Sequence, residues 1–391
     1  MLLLGALLAA PVAVPSQARP MPIAMSAASA QDARPARDRA SLEKRAADGD
    51  REAMFLLGVM HARGRGAPKD AAKAAEWYRR AADLGEARAM ANLGVLYARG
   101  EGVAKDDSQA IQWYRRAAEA GSTMAMTMLG ARYAGGNGVA EDDAEAARWY
   151  RKAADLGDAR GMFLYAVALA AGKGVARDET QAAEWYRKAA DLGDARAMAN
   201  LGAAHAAGRG VAKDVAKAAE WYLKAARLGD AGAMASLGVV HEEGLGVERD
   251  QDLAIQWYRA AAELGDRAAM TTMAQRHERG DGVAQDDAEA ARWYARLVEL
   301  GDAEAATTLG AMHKEGRGVK QDLAKAFELT KAAAEAGVPQ AQFNLALLYE
   351  SGEGAPRDPK LALEWATKAE RAVNPVVRDR AAAVAGRLRG K

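Results

Sequence analysis

The twelve residues WYRKAADLGDAR run from Trp149 to Arg160 and return unchanged from Trp185 to Arg196, thirty-six positions further on. An aromatic pair beside Arg and Lys fits two opposed readings: a stacking platform for bases or sugars, or one period of a repeated core. The register decides between them. Steps of thirty-six from Trp77 reach Trp113, Trp149, Trp185, Trp221, Trp257 and Trp293, then Leu329, then Trp365, so all eight tryptophans share one register. The same step from Gly49, Gly64 and Gly66 meets glycine in all nine repeats, and from Asp70 it meets aspartate nine times, ending at Asp358. Nine repeats therefore fill residues 49–372 without an insertion or deletion. A period of this length marks a stacked array rather than a set of ordinary domains.

Each repeat reads as two helices. In the repeat that begins at Gly193, that glycine ends the preceding helix in a left-handed conformation and Asp194 caps the next. Ala197, Met198, Leu201, Gly202 and His205 then form one apolar stripe at steps of one, three and four. Gly208 and Gly210 turn the chain through backbone angles that glycine tolerates. Asp214 caps a second helix carrying Ala218, Trp221, Tyr222, Ala225 and Ala226 inward. Alanine holds the Ala218 position in all nine repeats, as expected where two helices cross too closely for a larger side chain. All eight tryptophans are assigned to the repeat core, with the following tyrosine at the border of the stripe and the Arg or Lys beyond it in water. One such pair cannot bury its stripe alone, so the repeats must stack. Residues 375–389, with Val377, Val384 and Leu388 on one side, are expected to close the last repeat as a capping helix.

The joint occurrence of L-G, G-x-G-V, Asp and W-Y at fixed offsets resembles the Sel-1-like repeat, a relative of the tetratricopeptide repeat, over residues 49–372. The resemblance implies an all-α, right-handed superhelical solenoid of nine antiparallel helix pairs, whose concave face binds other proteins in adaptors, regulators and exported bacterial proteins. It implies no chemistry. A cysteine-rich branch of that family carries a disulfide in each repeat and includes proteins called β-lactamases or penicillin binders. This chain has no cysteine and departs from that branch.

Composition narrows the function further. Fifty-four Lys and Arg against 53 Asp and Glu leave no net field to attract nucleic acid or an anionic membrane. The absence of cysteine excludes disulfides, thiol catalysis and cysteine-ligated metal. The apolar run Leu2–Val14 reads as a signal peptide over residues 1–18, with cleavage as late as residue 30. It is shorter than the roughly 20 residues that cross a bilayer. No basic residue precedes it. The organisation is then a signal peptide, a disordered lead-in over 19–40, the solenoid over 41–372, and a C-terminal capping helix and tail over 373–391. The expected location is the periplasm or the medium, with the cytoplasm as the alternative.

Several patterns invite chemistry and do not carry it. Ser41-Leu42-Glu43-Lys44 matches the S-x-x-K of serine β-lactamases, but the chain has no K-T-G or S-D-N partner motif. The five histidines, His61, His205, His241, His277 and His313, share one repeat position with Tyr97, Tyr133, Tyr349 and Leu169, as a packing site would. Zinc needs its ligand atoms at about 2 Å from one centre, and a whole helix separates equivalent positions in adjacent repeats. The G-x-G turns sit between helices rather than after a strand, and the Asp106-Asp107, Asp142-Asp143 and Asp286-Asp287 pairs fall at helix N-termini, where negative charge is favoured. No metal and no cofactor are expected.

With capping, turning and core positions set aside, a variable strip remains on the first helices. One row carries Arg88, Arg160 and Arg196. The next carries Phe55, Phe163 and Phe343, and a third carries Val95 and Val167 among other aliphatics. A last row is Ala62, Ala98, Ala134, Ala170 and Ala206, then Glu242, Glu278, Lys314 and Glu350. Arg and aromatic residues most often anchor interfaces. The expectation is a non-enzymatic scaffold whose groove takes a protein or peptide, apolar and Arg-bordered before residue 240 and charged after it. The alternatives are a cell-wall or β-lactam hydrolase and a glycan-binding module that uses exposed tryptophans.

Overall fold

A computed structural model describes residues 35–390; the signal peptide and most of the expected lead-in lie outside the described residues. Twenty α-helices and no strand occur among them. The described residues divide into two compact parts, 35–225 and 226–390. The first holds α1 (Pro35–Ala47), α2 (Arg51–Arg63), α3 (Ala71–Asp83), α4 (Ala87–Arg99), α5 (Asp107–Glu119), α6 (Thr123–Ala134), α7 (Asp143–Asp155), α8 (Ala159–Ala171), α9 (Glu179–Asp191) and α10 (Ala195–Ala207). Helix α11 (Val215–Arg227) carries the boundary. The second part holds α12 (Ala231–Glu243), α13 (Gln251–Glu263), α14 (Arg267–Arg279), α15 (Asp287–Glu299), α16 (Ala303–Glu315), α17 (Leu323–Glu335), α18 (Pro339–Ser351), α19 (Pro359–Ala369) and α20 (Pro375–Arg389). Within each part, consecutive helices pack as antiparallel pairs and each pair lies on the next.

The repeat's punctuation works as the residue types dictate. The Asp178 carboxylate accepts from the Gln181 amide at 2.9 Å and so caps α9, and Asp194 accepts from the Arg196 and Ala197 amides at 3.0 and 3.1 Å to cap α10. Gly208 ends α10 at φ 70°, in the left-handed region. Each connection is then pinned back to its own first helix: the Asp214 amide donates to the His205 carbonyl at 2.9 Å, and the Asp178 amide to the Leu169 carbonyl at 3.0 Å. The second glycine of the connection does more than turn. A Cβ on Gly210 would lie 1.9 Å from the Glu179 carbonyl oxygen, so the loop of one repeat seats against the first turn of the preceding repeat's second helix.

The core corrects one expectation. Tyrosine, not tryptophan, stands at its centre: Tyr78, Tyr114, Tyr150, Tyr186 and Tyr222 are buried in the first part and Tyr258 and Tyr294 in the second. Only Trp113 and Trp293 are buried; Trp77, Trp149, Trp185, Trp221, Trp257 and Trp365 are half-exposed. The reason is helical geometry. Tyr186 lies three or four positions from Ala182, Ala183, Ala189 and Ala190, all of them buried, whereas Trp185 has that relation only to Ala182 and Ala189. Nor is the neighbouring cation idle in water. Lys188 Nζ stands 4.0 Å from the Trp185 ring centroid, Lys152 takes the same place over Trp149, and Arg80 lies 4.4 Å over Trp77. The glycine of the L-G pair exists for the tyrosine: a Cβ on Gly130 would come within 2.5 Å of the Tyr150 ring.

Both ends are closed. Helix α1 begins at Pro35, inside the stretch expected to be disordered, and its Leu42 and Ala46 are buried against the first repeat. Those two residues stand one period before Tyr78 and Ala82, so α1 is the second helix of an incomplete repeat. At the other end α20 buries Val377, Ala381, Val384 and Ala385 against Phe343, Ala366 and Ala369. Among the described residues, no helix is long and apolar enough to cross a membrane.

Candidate functional site

The candidate surface is the face of the first helices in the first part. Arg88, Arg160 and Arg196 sit at the start of α4, α8 and α10, two residues past the caps Glu86, Asp158 and Asp194. Arg88 Nε donates to Glu86 at 2.8 Å and its guanidinium lies 4.5 Å over the Phe55 ring of the preceding repeat. Arg196 repeats the arrangement: it pairs with Asp194 at 2.6 Å and lies 4.4 Å over the Phe163 ring. Hydrogen bonds from Arg88 to Glu86 hold its pKa above the ordinary guanidinium value, while burial and the neighbouring Arg196 push that of Arg160 down.

These contacts revise the expected anchors. Phe55, Phe163 and Phe343 are 4, 6 and 3 % exposed, and Val95 and Val167 are 3 and 8 % exposed. The three phenylalanines fill gaps between repeats beneath an arginine, which for Phe343 is Arg380 at 4.8 Å. An apolar strip of exposed rings is therefore absent from these positions, and the surface offered is guanidinium stacked on ring. Of the eight residues read from sequence, the structure brings Phe163 and Val167 into one cleft and places Arg196 over the outer face of Phe163. Arg88, Phe55 and Val95 belong to earlier repeats, and Phe343 lies in the second part.

Two clefts open on this face, and sequence reading missed both. The first, about 540 Å³ counted out to its open mouth, is lined by Ala134, Asp143, Tyr150, Phe163, Ala168 and Lys173, with others. The second, about 390 Å³ on the same measure, is lined by Ala170, Glu179, Tyr186, Asn200, Ala204 and Arg209, with others. The Ala, acid, Tyr, Ala and base of the second stand thirty-six residues after those of the first. The clefts are thus one feature in two copies. Their cause is a single row: the position of Ala168 and Ala204 holds Met60, Leu96, Arg132, Val240, Arg276, Met312 and Leu348 in the other repeats. Arg132, for example, reaches across the equivalent space to Asp107 of the preceding repeat at 3.0 Å. At Ala168 and Ala204 the side chain shrinks to a methyl and space remains. Burial pushes the Tyr150 phenol up to about 12, and pushes that of Tyr186 higher still.

The chemical candidates stay dispersed. Ser41 and Lys44 are exposed on α1. His61, His205 and His277 are buried packing residues, and no cluster of His, Cys, Asp and Glu among the described residues has the arrangement of a metal site. The leucines that precede the first glycine of a repeat form a further exposed row, with Leu84, Leu156 and Leu192 at 47, 59 and 58 % exposed.

The chain matches the Sel1 repeat family model nine times in succession, from residues 51–86 to 339–373. Among solved structures it is similar to a Sel1 repeat protein from Oxalobacter formigenes, at 32% identity and a TM-score of 0.60, over 79% of this chain and 89% of that one. It is also similar to a protective antigen of uropathogenic Escherichia coli described as displaying an SLR fold, at 29% identity and a TM-score of 0.57, over 90% of this chain and 86% of that one. No curated protein matches.

Proposed function

We propose that this chain, which belongs to the Sel1 repeat family, is a non-enzymatic scaffold that binds a protein or peptide across the first-helix face of residues 51–207. One observation carries the reading. The stacked repeats leave two open clefts on a face bordered by Arg88, Arg160 and Arg196, while Arg132 and Arg276 fill the equivalent spaces of their repeats with ion pairs to Asp107 and Glu242. A face that is open in two adjacent repeats, at the same register position, has the form of a receptor. The catalytic alternative has no nucleophile with a base beside it among the residues singled out. The glycan reading needs open aromatic faces, and Trp77, Trp149, Trp185, Trp221, Trp293 and Trp365 each carry a cation over the ring. Location in the cell envelope rests on the apolar run Leu2–Val14, and the description of the E. coli relative as a protective antigen supports it.

The test is replacement of Arg88, Arg160 and Arg196 together by Gln. With the helical circular dichroism unchanged, the variant is expected to lose the partners that the parent chain captures from an envelope fraction. Undiminished capture of the same partners would sink the groove reading.

A further inference from the structure

The second part of the chain shows what the two clefts lack. Around Tyr294, the phenol Oη donates to Glu278 Oε2 at 3.0 Å, and Arg317 Nη1 donates to Glu278 Oε1 at 2.9 Å and to Asp287 Oδ1 at 3.1 Å. Around Tyr258, the phenol donates to Glu242 Oε2 at 2.8 Å and Arg276 pairs with the same carboxylate. In both places a carboxylate is held between a tyrosine hydroxyl and a guanidinium, and the chain supplies that carboxylate itself. The residues one hundred and eight positions before Tyr294, Arg317, Asp287 and Glu278 are Tyr186, Arg209, Glu179 and Ala170. Three of the four groups are kept and the fourth, the carboxylate, is reduced to a methyl.

The consequences are visible at Tyr186. Its side chain is 4 % exposed, and its hydroxyl is buried without a hydrogen-bond partner. A buried phenol left unpaired carries a desolvation cost that a matching acceptor removes. Glu179 is occupied by Arg177, and Arg209 makes no ion pair among the described residues. The space where Glu278 would stand opens into the cleft lined by Ala170, Tyr186 and Arg209. The preceding cleft has the same types of residue in its lining, Ala134, Tyr150 and Lys173.

We propose that the cleft over Tyr186 is a receptor for a carboxylate borne by an acidic peptide segment of a partner, held between the Tyr186 hydroxyl and the Arg209 guanidinium, and that the cleft over Tyr150 is its second copy. The inference deepens the groove reading and rests on it. It adds a ligand chemistry: side chains of Glu or Asp presented by an extended segment to two adjacent repeats. A neutral or basic segment leaves Arg209 and Lys173 without a counter-charge and gains nothing from the phenols. Two weak pockets engaged by one segment reinforce each other, because the second binding event is intramolecular.

The chain also suggests the decisive variant. Glu already stands at the register position of Ala170 in three later repeats, at Glu242, Glu278 and Glu350, so Ala170→Glu is expected to fold and to fill the receptor from within. The probe is a fluorescein-labelled, end-capped hexaglutamate peptide, measured by anisotropy at low salt against a hexaglutamine control. Hexaglutamate is expected to bind and hexaglutamine not to. Ala170→Glu should weaken binding about tenfold, the effect of losing one charge-assisted contact. Ala176→Glu, which adds the same charge at an exposed position outside the cleft lining, should weaken it far less. Arg209→Gln and Tyr186→Phe should each weaken it without altering the circular dichroism, and they decide the matter if Ala170→Glu fails to fold. Equal binding of the two peptides, or undiminished binding by Ala170→Glu, overturns the receptor. If Ala170→Glu keeps the captured partners while the Arg88, Arg160 and Arg196 triple variant loses them, the receptor falls and the groove reading stands.

Discussion

At the scale of single residues, the lesson of this chain is that the most conspicuous side chain is not the central one. Tryptophan marks the register, but tyrosine sits where four buried alanines surround it, and that was legible in the spacing of Ala182, Ala183, Ala189 and Ala190. What was not legible was exposure at the groove. Phe163 and Arg196 occupy neighbouring rows in neighbouring repeats, and only the stacking geometry reveals that one covers the other. The buried tyrosines also predict how stability varies with pH. Burial pushes the Tyr78 and Tyr150 phenols up to about 12 from an ordinary value of 10.0. A folded-state pKa raised above the unfolded one gives stability that is complete below pH 10 and is lost as pH rises towards 12. Urea unfolding of the parent protein across that range should therefore show falling stability. Tyr150→Phe removes one such proton, so its stability should fall less steeply, by about 1.4 kcal/mol per pH unit. Identical slopes would mean that Tyr150 ionises in the folded protein as easily as in the unfolded one.

At the scale of the element, helix boundaries followed from residues whose roles are local. Asp178 and Asp194 cap their helices through their own side chains, and Gly208 ends its helix with a backbone angle that only glycine adopts at ease. Such features are carried by one or two residues at fixed offsets, so nine copies made them plain. The second glycine of each connection was read for its turn alone, because its other duty depends on the neighbouring repeat. In Gly210 the two duties coincide: φ is 66°, and an added Cβ would lie 1.9 Å from the Glu179 carbonyl oxygen and 2.3 Å from its carbon. Backbone cannot step aside as a flexible side chain can. Gly210→Ala is therefore expected to cost about 2–4 kcal/mol in chemical denaturation, above the cost of the backbone angle alone. Gly193→Ala is the comparison, since Gly193 has φ 89° but no neighbour within 4 Å. Equal losses in the two variants would show that only the backbone angle matters and that the loop does not seat on the preceding repeat. The clefts escaped sequence reading for a related reason. A change from Arg132 to Ala168 looks like ordinary variation until the tyrosine beneath it and the acid and base beside it are seen to share one space.

At the scale of the molecule, a repeated array has a problem at each end that no interior repeat faces. An interior helix pair is covered by its neighbours, whereas a terminal pair presents its stripe to water. The C-terminal answer is α20, which lays Val377, Ala381, Val384 and Ala385 on the last repeat and ties its polar side down with Arg387 to Glu350 at 2.7 Å and Arg389 to Glu370 at 3.2 Å. The exposed ion pairs add little in water, and apolar burial is the larger contribution. Burial of the two valines alone is worth about 3–6 kcal/mol. Ending the chain after Asn374 should strip that cover from Phe343, Ala366 and Ala369 and remove Arg380 from the Phe343 ring. The shortened protein should unfold at a lower temperature and should bind a hydrophobic dye that the full chain does not. Replacing only Arg387 and Arg389 by Gln should change neither observable much. If the charge replacements cost as much as the deletion, the ion pairs rather than the apolar contact close the array, and the same account of α1, which buries Leu42 and Ala46, would have to be revised with it.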